Sequence, residues 1–376
     1  YAFDSACFVN EGGFPLIRIR DLKTNQPSYG FTGDFDSTYV MTPGQLIVGM
    51  DGEFRCYEWQ GVPALLNQRL CQLIPNEEIL DRDYLRLWIG EELLRIEEKT
   101  AFTTVKHLSS RDLLKLPISL PLIAEQKEIA GRIKAQLSDV SLSRTTTQDQ
   151  IDLARAMSSR VLHEAFSDTT PIDVAPSSET NIPGWTKHRV AEVARLESGH
   201  TPSRRRLDWW GGDIPWLALP DIRKLHGKHA YETVENTNGA GIANSSARVL
   251  PVGTVCLSRT ASVGYVTILG KPMATSQDFC NWICNPEKLD SEFLMYAFMA
   301  SQEAIRELGS GAVHKTIYMP TIQNFHICAP GIDEQRRIAR SLRGRLAAAD
   351  ALTHSLTARL ADIERLPQRL LAAAFG

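Results

Sequence analysis

The stretch Pro121-Leu-Ile-Ala-Glu-Gln-Lys-Glu-Ile-Ala130 returns later in the chain as Pro330-Gly-Ile-Asp-Glu-Gln-Arg-Arg-Ile-Ala339, 209 residues on. The same offset pairs Gly44 with Gly253, Gln68 with Gln277, Cys71 with Cys280, Lys106 with Lys315, Leu162 with Leu371 and Phe166 with Phe375. Nearer the start the offset is 200, matching Pro15 with Pro215 and Asp21 with Asp221. The second copy therefore carries about nine extra residues between Asp221 and Gly253. Self-similarity at a long, nearly constant period marks a duplicated architecture. Two copies of this size predict a duplicated domain with pseudo-two-fold order and not a solenoid.

Each copy has two parts. The first is mixed: short β-rich runs such as Gly44-Gln-Leu-Ile-Val-Gly49 and Gly253-Thr-Val-Cys-Leu-Ser258 lie between turn signals, and helical stretches follow near residues 83–98 and 291–307. The second is a long helix. Ile129, Ile133, Leu137 and Val140 recur at helical spacing, and Ile151, Ala154, Met157 and Val161 resume it. Ile338, Leu342, Leu346, Ala349, Leu356, Leu360, Ile363 and Leu370 repeat the stripe. A single apolar stripe needs a partner, and the simplest is the other helix, packed antiparallel. Pro367 is expected to kink or divide the second helix. Thr145-Thr146-Thr147 is the weakest helical point of the first.

The expected fold class is α+β: two mixed α/β domains separated by two long antiparallel helices. The boundaries read as a first domain over 1–120, a long helix over 121–167, a linker over 168–183, a second domain over 184–329 and a second long helix over 330–376. Copy two has an entry segment, Pro183-Gly-Trp185 to Trp209-Trp210-Gly-Gly-Asp213, whose counterpart would precede Tyr1. The first domain thus reads as N-terminally incomplete.

Composition narrows the function. With 43% hydrophobic residues the chain can bury sizeable cores, and no run approaches the 18 apolar residues of a membrane span. Seven scattered cysteines argue against a secreted disulfide framework and for a reducing cytoplasm. A net charge of −3 excludes a uniformly basic coat but leaves room for a segregated basic face. No catalytic constellation assembles. Gly264-Tyr-Val-Thr-Ile-Leu-Gly270-Lys271-Pro272 has one residue too many for a phosphate loop, and a proline where the magnesium-binding hydroxyl belongs. His163-Glu164 has no second His. Cys280 and Cys284 have no second ligand pair and suit buried thiols better than zinc. Glu97-Glu98-Lys99 has the acid-x-Lys form of many nucleases but sits on an expected helix, where such neighbours form a solvated face.

The ordered motifs resemble the specificity subunits of type I restriction-modification systems. The resemblance rests on Pro183-Gly-Trp185, Ser198-Gly-His-Thr201-Pro202-Ser203, Gly211-Gly-Asp-Ile-Pro-Trp216 with Asp221, and Ser258-Arg259-Thr260-Ala-Ser-Val-Gly264. It rests also on the two Glu-Gln helix entries and on the exits Leu162-His-Glu-Ala-Phe166 and Leu371-Ala-Ala-Ala-Phe375. It spans essentially the whole chain. Copy one departs from it where Met50-Asp-Gly-Glu-Phe-Arg55 replaces the Ser-Arg-Thr run. The resemblance implies two target recognition domains on double-stranded DNA and two methyltransferase subunits as partners, with a restriction motor subunit as a further one. S-adenosylmethionine would reside in the methyltransferase and ATP with magnesium in the motor, leaving this chain without a cofactor, a metal or a catalytic residue. The expected target is bipartite and asymmetric, because the two copies have diverged.

Candidate DNA contacts follow from the side chains that bind phosphates and base edges. In copy two they are Thr201, Ser203, Arg204, Arg205 and Arg206, then Arg223, Lys224 and Lys228 with His229, then Arg259, Thr260, His314 and Lys315. In copy one they are Arg18, Arg20, Lys23, Arg55, Lys106 and His107, with Arg18 and Arg20 alternating along a strand. Trp209 and Trp210 read as core, and Gln68 and Gln277 as structural, since two readers of different sequences share them. Two alternatives stay open: a specificity subunit of a type IIB-like system, and a coiled-coil protein-interaction scaffold with no DNA role.

Overall fold

The glutamine of the repeated Glu-Gln pair shows why that motif marks the start of a long helix. In the computed structural model, which describes residues 1–99, 108–167, 169–174, 182–309 and 315–375, two helices dominate: Ile123–Ala165 with 43 residues and Ile332–Phe375 with 44. Gln126 lies in the first turn of one and is fully buried. Its Nε2 donates to the carbonyls of Ile79 at 2.9 Å and Pro121 at 2.8 Å, and its Oε1 accepts the Asp81 N–H at 2.8 Å. Gln335 does the same in the other helix: Nε2 donates to Lys288 O at 3.0 Å and Pro330 O at 2.8 Å, and Oε1 accepts the Asp290 N–H at 2.9 Å. Asp81 and Asp290 in turn cap the helices Arg82–Lys99 and Ser291–Ala300, accepting the N–H groups of Tyr84 and Phe293 at 3.0 Å each. One side chain thus ties each long helix to the cap of a domain helix, and every partner obeys the 209 offset.

The helices are continuous where the sequence suggests weakness. Thr145 satisfies its hydroxyl by donating to Ser141 O at 3.2 Å, and Thr147 turns inward and is buried. Pro367 does not divide the second helix, which runs through it. The loss is confined to the one backbone bond its nitrogen cannot make.

The compact units are not the sequence copies. One unit comprises Tyr1–Gln148 with Thr357–Gly376, the other Asp149–Leu356. Each therefore takes the start of one long helix and the end of the other. In the first unit Ala130 and Ile133 cluster with Tyr84, Leu371 and Phe375, whose ring lies 5.3 Å from Tyr84. In the second, Ala339 and Leu342 cluster with Val161, Leu162 and Phe166, whose ring lies 5.6 Å from Phe293. Start meets end in both, which is the antiparallel order.

Sheet registers repeat as well. Leu46–Gly49 lies between Cys56–Glu58 and Leu70–Leu73, and Val255–Ser258 lies between Val266–Leu269 and Phe279–Cys284. Leu46 faces Leu73 as Val255 faces Trp282. A parallel pair joins Leu16 to Leu65 in one unit and Trp216 to Ala274 in the other. Buried Asp21 and Asp221 take matching turns, each accepting the N–H three residues back, from Arg18 at 2.8 Å and Ala218 at 3.0 Å. The strands that pair antiparallel with Phe14–Ile17 and Trp210–Leu217 begin at Tyr29 and Glu235, eight and fourteen residues further on. Six of the extra residues of copy two therefore lie between Asp221 and Glu235. In the second unit the segment expected as a linker contributes the strand Ile172–Asp173 to a three-stranded sheet with His326–Ala329 and Thr186–Arg189, and Lys187 pairs with Asp173 at 2.7 Å. No helix among the described residues is long and apolar enough to cross a membrane.

Candidate nucleic-acid interface

Half of the candidate lysines and arginines among the described residues are held by the protein itself. In the second unit Arg204 grips Glu235 with both guanidinium nitrogens at 2.7 Å and lies over the rings of Trp210 and Trp216, 4.0 and 4.7 Å from their centroids. The pairing holds the Glu235 carboxyl below the usual range. Arg206 forks onto Asp208 at 2.9 and 2.7 Å and covers Trp209. Trp216 is buried, and these tryptophans serve as platforms for arginine. Arg205 is exposed and has no intramolecular partner among the described residues. Arg205→Ala is therefore expected to lower the slope of log affinity against log salt by about one, and Arg206→Ala to leave it unchanged. Titrating both variants with duplex DNA checks this; equal losses would show that the Asp208 pair opens on DNA.

The other candidates divide in the same way. The Thr201 hydroxyl donates to the Gln277 side chain, which gives that shared glutamine a structural task. Ser203 is exposed, and its carbonyl accepts the Trp210 Nε1–H at 3.3 Å. Arg259 donates to Gln277 O at 3.1 Å and Ile317 O at 3.3 Å, so its guanidinium staples two loops. Thr260 bridges Thr316. The Lys315 side chain is exposed, and its carbonyl accepts Ala261 N–H at 3.1 Å. His314, Lys106 and His107 lie outside the described residues.

In the first unit Lys23 pairs with Glu53 at 3.1 Å, and Arg55 pairs with Glu97. Arg18 and Arg20 do not alternate along a strand. The strand Phe14–Ile17 ends before them, because the Asp21 carboxylate captures the Arg18 N–H and turns the chain into the short helix Ile19–Asp21. Both still line one cleft of about 410 Å³ with Asn67, Gln68 and Arg69. Arg18 lies over the Tyr29 ring at 4.9 Å, Arg69 pairs with Asp51 at 3.1 Å, and Arg20 is exposed without a partner among the described residues. The matching positions of the second unit are Ala218, Pro220 and Asp278, so the same scaffold carries different chemistry.

Arg223, Lys224 and Lys228 stand apart. They lie on the segment after Asp221, are exposed, and have no partner among the described residues. Sequence reasoning missed the residue that fixes this segment, His226. Its Nδ1 accepts the Val266 N–H at 3.1 Å, its ring meets the Tyr265 edge, and burial lowers its pKa, so the ring is neutral and acts as an anchor. Gly227 follows at φ +71°, a left-handed backbone conformation that favours glycine. Lys228 O then accepts from Thr267 Oγ1 at 2.8 Å, and His229–Ala230 pairs in parallel with the strand Val266–Leu269. His229 itself is held by Glu292 at 3.3 Å.

Burial pushes the thiols of Cys280 and Cys284 up to about 12, far from a reactive thiolate. Among the described residues no group of three or more His, Cys, Asp or Glu could hold a metal ion.

Comparison with known proteins agrees with this arrangement. The family model described as the type I restriction modification DNA specificity domain matches residues 1–152 and again 183–361. The chain is 26% identical over 394 residues to the specificity subunit of the type I restriction enzyme EcoBI of Escherichia coli, covering all of this chain and 82% of that one. Its fold is similar to that of the HsdS subunit of Thermoanaerobacter tengcongensis, with a TM-score of 0.67 at 17% identity, covering 97% of this chain and 91% of that one. A chain solved in a study of complex assembly and conformational transition of a type I restriction-modification system gives a TM-score of 0.68 at 20% identity, covering 89% and 82%. The two matched segments account for most of the chain and fall on its two copies: the protein belongs to the family of type I restriction-modification specificity subunits.

Proposed function

We propose that this chain reads a bipartite, asymmetric DNA target, one half-site per unit, and brings two methyltransferase subunits to it for N6 methylation of adenine. A restriction motor subunit joins the same assembly. The observation that carries this reading is one scaffold built twice in matching register, with the same glutamine anchor, while the exposed cationic positions differ between units. Identical frames with divergent surfaces suit two readers of two different sequences. The chain itself supplies no chemistry. The methyltransferase holds S-adenosylmethionine and flips the target base. With many of its cations already paired and a net charge of −3, the chain alone binds DNA weakly, and its partners supply much of the phosphate contact.

Methyl transfer from S-adenosylmethionine to duplex DNA tests the division of labour. The purified chain is expected to give no turnover, the methyltransferase alone no motif-specific transfer, and the two together transfer at one motif. Turnover by the chain alone would refute the proposal.

A further inference from the structure

The crossing from Asp221 to Glu235, six residues longer than its counterpart, changes the character of the second unit. The first unit crosses from Asp21 to Tyr29 with a single cation, Lys23, which Glu53 neutralises. The second unit crosses from Asp221 to Glu235 with Arg223, Lys224 and Lys228 against one acid, Glu232. The crossing is also built, not loose. His226 anchors it, the Gly227 turn redirects it, and the His229–Ala230 strand fixes its far end. Fixing the backbone beneath three cations in advance removes the entropy that a mobile loop would lose on binding.

We infer that this lengthened crossing is a clamp for the phosphate backbone of duplex DNA, built in the second unit alone, so that the two units hold DNA unequally. The inference rests on the DNA-reading role proposed above. A phosphate clamp carries charge and not sequence. It therefore sets affinity and salt dependence and leaves the base preference of its half-site alone. Arg223→Lys preserves the charge and is expected to preserve binding, because a phosphate does not require the guanidinium fork that a guanine edge does.

The test uses the complex assembled on the full chain and duplex DNA with or without its methylation motif. The triple variant Arg223→Ala/Lys224→Ala/Lys228→Ala alters only exposed side chains. Three lost phosphate contacts should reduce the salt slope by about 2.7 and the affinity roughly a hundredfold near 0.15 M salt. The methylated motif should keep both half-sites and its gap. An unchanged slope would overturn the clamp. So would a degenerate half-site in the triple variant or in Arg223→Lys, since that would make the segment a base reader. A wild-type complex with no preference for any motif would instead overturn the DNA-reading role itself, before the variants are compared.

Discussion

Replacing Gln126 by alanine is expected to destabilise the first unit by about 2–4 kcal/mol, and Gln335→Ala to do the same to the second. Each change removes a fully buried side chain together with its three hydrogen bonds to backbone groups, and with them the tie between the long helix and the cap of the domain helix. Gln126→Glu should be about as damaging, because a carboxylate cannot donate to the Ile79 and Pro121 carbonyls. Thermal unfolding with hydrogen exchange of the backbone near Asp81 and Asp290 would locate the damage. The exchange increase should stay in the unit that carries the substitution. A loss within about 0.5 kcal/mol would mean that apolar packing around Ala130 and Ile133 suffices without the glutamine.

The second large effect concerns spacing. Four residues inserted beside Thr146 add roughly one turn, about 6 Å, and keep the apolar stripe close to register. On the proposed reading the long helices separate the two readers. The unread gap should then grow by at most about two base pairs, at 3.4 Å each, while both half-sites stay as they are. The methylation motif of the insertion variant reports all three quantities. An unchanged gap with retained activity would show that helix length does not measure spacing, and altered half-sites would show that the helices help to read bases.

The duplication, the helix stripes and the helix entries were legible because they are periodic or repeated. The Glu-Gln repeat pointed to the very side chain that anchors each helix. Other features depend on contacts distant in sequence. Nothing around Arg204 announces Glu235, 31 residues away, nor does Lys23 announce Glu53. Cations that read as free were therefore already neutralised. The Arg18 and Arg20 alternation was sound strand arithmetic, defeated by one carboxylate at Asp21 that ends the strand early. The sequence copies also hid the compact units. A repeat aligns Phe166 with Phe375 but cannot say that each closes the core holding the other copy's domain helix, at Phe293 and Tyr84 respectively. About nine extra residues were counted from the sequence between Asp221 and Gly253, yet only the register of Tyr29 and Glu235 narrowed six of them to the crossing that carries Arg223, Lys224 and Lys228.

The central claim is that one chain carries two different readers held at one separation. Sequencing that detects N6-methyladenine in DNA from cells expressing this chain with its methyltransferase subunit tests it most directly. The account predicts one chain-dependent motif made of two unlike half-sites around a gap of fixed length and unspecified sequence. A single uninterrupted palindrome, or methylation that does not change when the chain is removed, would contradict it.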